Sequence, residues 1–126
     1  MDISMKMTVI AAIAGFTFLA SSPVFAAAAA ENYRFYCAQC HGLGGMGDGP
    51  NATRNMPVSP RNFTSKYEME RLTDEDIVNV IREGGAATSK STLMPPFGKT
   101  LTADEITAMK DYLRKLCKCK GQKTLG

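Results

Sequence analysis

Tryptophan is absent from this 126-residue chain, histidine occurs once, and no apolar run beyond the first 26 residues is long enough to span a membrane. Each shortage excludes something. A membrane span needs about 20 consecutive apolar residues, so the exported part is neither an integral channel nor a transporter. A single imidazole cannot supply a two-histidine metal centre from one chain. Excess charge is small, with 15 basic against 12 acidic residues and a net +3. No aromatic interleaving or binding motif accompanies the basic tail, so the charge reads as solvated helix faces and not as a nucleic-acid surface. No alternating pattern predicts a strand. The remaining composition, 44% hydrophobic and 21% charged, is globular and allows one domain.

Residues 1–26 have the order of a secretory signal: Lys6, the apolar stretch Met7 to Ala20, then Ser21, Ser22, Pro23 and Val24-Phe25-Ala26. Cleavage is expected after Ala26. The exported chain divides into a domain over residues 27–116 and a basic, cysteine-containing tail over 117–126. In an oxidising compartment its four cysteines must be accounted for by bonds of some kind.

Local signals predict helices. Thr73 and Asp76 form a capping box ahead of a helix over 74–83, whose stripe is Ile77, Val80 and Ile81 and whose stop is Gly84-Gly85. Thr102 and Glu105 do the same for a helix from Ala103 to about Leu116, with Ile106, Met109, Leu113 and Leu116 along one face. A third helix should run from the Ala26–Ala30 tract through Tyr33 to His41 and stop at Gly42. Between them, 42–60 and 84–100 are rich in turn residues and read as long loops, which in so small a domain need something to wrap around.

Cys37-Ala38-Gln39-Cys40-His41 supplies that centre. In an exported protein a C-x-x-C-H sequence is the attachment site of a covalent c-type haem. On one helical face two thiols at i and i+3 meet two vinyl groups while the imidazole reaches iron. The rivals are a thioredoxin-like pair, which wants a βαβ setting, and half of a zinc site, for which Cys117 and Cys119 are poor partners.

With these residues the chain resembles the small monohaem class I cytochromes c of the bacterial periplasm over nearly its whole exported length. Three segments carry the likeness: the tyrosine-containing helix running into Cys37 to Gly42, the Gly45-Met46-Gly47-Asp48-Gly49-Pro50 loop, and Met94-Pro95-Pro96-Phe97-Gly98 leading into Leu101 to Ile106 and Tyr112 to Arg114. The resemblance implies an all-α fold of three to four helices and long loops wrapped around one haem c. It implies Met94 as the sixth iron ligand beside His41, with Met56 the serious rival and Met46, Met69 and Met109 weaker ones. It further implies that the carbonyl of Pro50 orients His41, and that Ala29 and Tyr33 on the first helix meet Tyr112 on the last. Arg61 is either a partner for a haem propionate or an exposed arginine.

With both axial positions filled, the resemblance implies a periplasmic one-electron carrier and not an enzyme, working as a monomer that docks transiently on redox proteins at the haem edge. Lys90 and Lys99, flanking Met94, are candidates to steer that docking. Other readings are a haem-bearing subunit of a larger oxidoreductase, a ligand sensor or peroxidase with a labile Met94, and a thiol redox module using Cys37 and Cys40. Cys117 and Cys119 have no counterpart in the resemblance; a disulfide between them is expected, against a link to another chain or free thiols.

Overall fold

The fold begins in the alanine tract, which forgoes little side-chain entropy in a helix. In a computed structural model describing residues 23–122, α1 spans Pro23–Asn32. The expected leader lies outside the described residues except for Pro23 to Ala26, which form the first turn of α1. The helix runs on as a π-helical turn over Tyr33–Cys37, where Ala38 N–H donates to the Tyr33 carbonyl, and then as α2, Ala38–His41. It ends at Gly42, as the sequence indicates, but the widened turn just before Cys37 is not written in the periodicity. Such turns are frequent at functional sites.

Three more helices follow. A short α3, Lys66–Glu70, was not anticipated; Ser65 caps it by accepting from Glu68 N–H. α4 is assigned to Asp74–Ala87, with a break at Gly84, where φ is 80° and ψ 171°, so its regular part ends where the glycine pair predicts. α5 is Ala103–Cys117. Both anticipated capping boxes are present, Thr73 with Asp76 and Thr102 with Glu105. Among the described residues there is no strand, and no helix is long and apolar enough to cross a membrane.

α5 is the hub, with α1, α3 and α4 all packed on it. Ala29 and Tyr33 are buried where α1 meets α5, and the Tyr33 ring lies 5.2 Å from that of Tyr112. The expected stripes, Ile77 and Ile81 on α4 and Ile106, Met109 and Leu113 on α5, form the core. Val80 is only half-buried because its position on the α4 stripe faces a cavity. That cavity, in place of a larger apolar core, is what the loops enclose.

Candidate haem site

The cavity holds about 480 Å³ and brings together Cys37, Cys40 and His41 with the stripes of α4 and α5. Its remaining walls come from the loop between Met56 and Phe63, from Met69 and Leu72 near α3, and from Met94, Pro95 and Phe97. Such a chamber, mostly apolar with thiols and one imidazole on its wall, suits a flat apolar macrocycle held by thioether bonds and an iron ligand.

His41 is held from two sides. Its Nδ1 lies 3.1 Å from the carbonyl of Arg61, and the Phe63 ring stacks on it at 4.3 Å between centroids and 21° between planes. A carbonyl can only accept, so Nδ1 carries the proton and Nε2 is left free for iron. Burial holds the imidazole below its usual pKa, which keeps it neutral as a ligand must be.

The residue that orients His41 is therefore Arg61 and not Pro50. Gly49 N–H donates to the Cys40 carbonyl and Asn51 N–H to that of Gln39, which lays exposed Pro50 along the backbone of α2, while the His41 Nδ1 partner is the Arg61 carbonyl. The loop then crosses itself. Gly47 N–H donates to the His41 carbonyl at 2.8 Å, and a Cβ on Gly47, at φ 82°, would stand 2.5 Å from the Pro60 carbonyl oxygen. Only glycine admits that approach, and it delivers Arg61 to His41. The Arg61 side chain is half-exposed and pairs with Glu68 at 3.4 Å.

Cys37 and Cys40 are both free and half-buried. Burial, reinforced by Cys40, pushes the Cys37 thiol up to about 12, the opposite of the depressed value that activates a thiol redox pair. No group of three or more His, Cys, Asp or Glu side chains gathers among the described residues. The expected disulfide joins Cys117 and Cys119, with 5.1 Å between their Cα atoms.

Met94 lines the same cavity as His41, on the loop that follows α4. That loop is tied down by Gly85 N–H donating to the Met94 carbonyl at 2.9 Å, Phe97 N–H to Ile81 at 2.9 Å and Gly98 N–H to Arg82 at 3.0 Å. Met56, Met69 and Met109 also line the cavity, whereas exposed Met46 does not. Met69 and Met109 are fully buried in helices, which leaves Met56 as the loop-borne competitor.

Sequence reasoning missed Phe63 and the Arg61 carbonyl. The pairing of Gly45 with Phe63, whose N–H donates to the Gly45 carbonyl, is a long-range closure with no local signature.

Comparison with known proteins places this architecture. Residues 25–113 match the model of the family Cytochrome C oxidase, cbb3-type, subunit III. The structure of the Kuenenia stuttgartiensis reducing HAO-like protein complex Kustc0457/Kustc0458 is similar with 27% identity and a TM-score of 0.62, over 75% of this chain and 44% of that one. The KustC0563 c-type cytochrome is similar with 25% identity and a TM-score of 0.56, over 70% of this chain and 95% of that one. The chain thus spans less than half the length of the first and nearly all of the second. No curated protein gives a significant match. A match that runs from α1 into α5, on a chain whose cavity is lined by Cys37, Cys40 and His41, settles the relationship: the chain belongs to the cytochrome c oxidase, cbb3-type, subunit III family and is a c-type cytochrome domain.

Proposed function

We propose that this protein is an exported monohaem electron carrier in which Cys37 and Cys40 hold haem c and His41 and Met94 ligate its iron. The observation that carries this reading is the convergence of all four residues on one cavity, with His41 already in its ligand tautomer. Haem bound there supplies one-electron chemistry at iron. The chain's own contribution is fixity. Arg61 and Phe63 hold the imidazole, three backbone bonds hold the Met94 loop, and the apolar walls keep water from the iron. A site whose ligands need not rearrange between ferric and ferrous states suits fast electron transfer and leaves no position for a substrate.

Electron exchange takes place with redox proteins that dock transiently. Exposed Lys90, on the cavity rim, and exposed Lys99 steer acidic partners toward it. A second arrangement is favoured by the family and by the first similar structure, which is that of a complex: the domain serves as the haem-bearing subunit of a larger oxidoreductase. Stable copurification with other subunits distinguishes it.

The test is mass and optical spectroscopy of the purified protein. One haem per chain, resistant to acid extraction, together with a weak far-red band in the ferric state that disappears in Met94→Ala, is expected. A mass equal to that of the bare polypeptide would overturn the haem reading, and a band that survives in Met94→Ala would overturn the ligand assignment.

A further inference from the structure

The Cys117-Lys118-Cys119 segment is the feature that haem attachment does not require, yet it is bonded to Arg114, which in turn bonds the backbone of two residues that line the haem cavity. We propose that the Cys117–Cys119 disulfide is a clasp on the haem environment: it folds the tail over Arg114, and Arg114 positions the Met69 and Leu72 wall.

The chain of contacts is continuous. The disulfide closes over Lys118, which ends α5 in the left-handed conformation at φ 50°. The tail therefore doubles back. Cys119 N–H donates to the Arg114 carbonyl at 3.3 Å, and Gln122 N–H reaches the Glu70 carbonyl at 3.1 Å. Gly121 lies so close beneath that a Cβ on it would overlap Arg114 Nη2. Cys117 and Cys119 are 5% and 9% exposed, and Cys119 Sγ stands 3.9 Å from Arg114 Nη1.

Beneath this cover the Arg114 side chain is only 10% exposed and donates in three directions. Nη1 goes to the Met69 carbonyl at 2.7 Å, Nη2 to that of Leu72 at 2.8 Å, and Nε to Asp74 Oδ1 at 2.8 Å. These bonds fix the end of α3 against the start of α4. The side chains on that corner, Met69 and Leu72, line the haem cavity.

Bonds of a guanidinium shielded from water are stiffer than the same bonds in solvent. With the disulfide open, Lys118 keeps a conformation that ordinary residues disfavour through backbone bonds alone, its own N–H to Lys115 and those of Cys119 and Gln122 to Arg114 and Glu70, so the tail lifts more readily and water reaches Arg114. The corner then loosens, the cavity becomes more polar, and the more highly charged ferric state gains, which lowers the reduction potential. Arg114 and the disulfide are thus positioning groups for the haem that touch none of its ligands.

This inference rests on the haem reading above, and the experiment separates the two. The full-length holoprotein, the Cys117→Ser/Cys119→Ser double variant and Arg114→Lys are first checked by mass for covalent haem, then titrated spectroelectrochemically. In the double variant the ferrous-to-ferric ratio at a fixed applied potential is expected to fall about tenfold, a shift of about 59 mV. Arg114→Lys, which keeps the disulfide but loses the planar fork, should move the same way. Amide exchange at Leu72 and Thr73 should quicken in both variants. Unchanged potentials alongside a lowered Tm would overturn the clasp and leave a tail staple. If the double variant does not fold, Arg114→Lys decides by the same readout. If the wild-type chain carries no haem, the proposed function fails, and amide exchange at Leu72 still tests the clasp: unchanged exchange in Arg114→Lys overturns it.

Discussion

Replacing Gly85 by alanine tests the loop that presents Met94. Gly85 is not among the glycines with positive φ, so the substitution adds one methyl group and no backbone strain. That methyl would stand 3.0 Å from the Ser91 carbonyl carbon, nearer still to its oxygen, and 3.3 Å from Met94 Cβ. Backbone has to give way. The same stretch is tied to Gly85 by its N–H donating to the Met94 carbonyl at 2.9 Å and by Lys90 N–H donating to the Gly85 carbonyl at 2.7 Å, so retreat stretches both bonds. Overpacking costs about 1–3 kcal/mol, and a buried backbone group deprived of its partner costs about 1–3 kcal/mol more. A loss on the order of 3 kcal/mol corresponds, in a domain of this size, to a fall in Tm on the order of 10 °C or more. Ligation is expected to suffer with it, weakening the far-red band of the ferric protein. Gly44→Ala is the control, because its Cβ meets only Met46 Cε at 3.6 Å, an ordinary contact. Thermal melts and ferric spectra of both variants decide: a Gly85→Ala protein that melts with wild type and keeps its band would refute this account of the loop.

Three further outcomes are expected. Tyr33 Oη donates to the Gly42 carbonyl at 2.8 Å in the core and Gly45 N–H donates to it at 3.1 Å, so Tyr33→Phe should cost about 0.5–1.5 kcal/mol in urea titrations by removing one of that carbonyl's two donors. Burial pushes the Asp74 carboxyl up, but the hydrogen bond from Arg114 and the charge of Lys110 outweigh it and hold it below the usual carboxylate value. A depressed folded-state pKa gives stability that is complete at neutral pH, begins to fail near pH ~4 and is lost as pH drops through the folded value; Asp74→Asn should flatten that part of the Tm–pH curve. Chain produced without haem, as the Cys37→Ala/Cys40→Ala double variant, is expected to lack a cooperative calorimetric transition, because loops built round a cavity of about 480 Å³ have little else to pack on.

What was legible in the sequence was local. The two capping boxes, the Gly42 and Gly84 stops and the Cys37-Cys40-His41 spacing each sit within a few residues, and the helices appear where those signals put them. α3 escaped because five residues capped by Ser65 are too short to display a period. The π-helical turn escaped because one extra residue in a helix leaves the same side chains in the sequence. The partner of His41 escaped for another reason. A backbone carbonyl has no residue signature, and Arg61 reaches His41 only through a loop closure over a separation of 20 residues. A proline nearer in sequence resembled the family's pattern, but the bonds of Gly49 and Asn51 to α2 carry it elsewhere.

The same distinction between residue type and anchorage separates the two loop methionines. Both are half-buried on the cavity wall, so burial and chemistry do not rank them. Anchorage does. Met56 N–H makes a local turn bond to the Thr53 carbonyl, in a segment followed by exposed Pro57 and Val58. Met94 is bonded through its own carbonyl to Gly85, and the residues after it pair with Ile81 and Arg82, so its backbone is fixed to α4 at three points. A thioether is a weak iron ligand, and holding it in place without further entropy loss favours the methionine whose backbone is already fixed. Met56→Ala should therefore leave the far-red band and the reduction potential near wild type, whereas Met94→Ala removes the band and lowers the potential. Loss of the band in Met56→Ala, with its retention in Met94→Ala, would assign the sixth position to the looser loop and make backbone anchorage irrelevant to the choice.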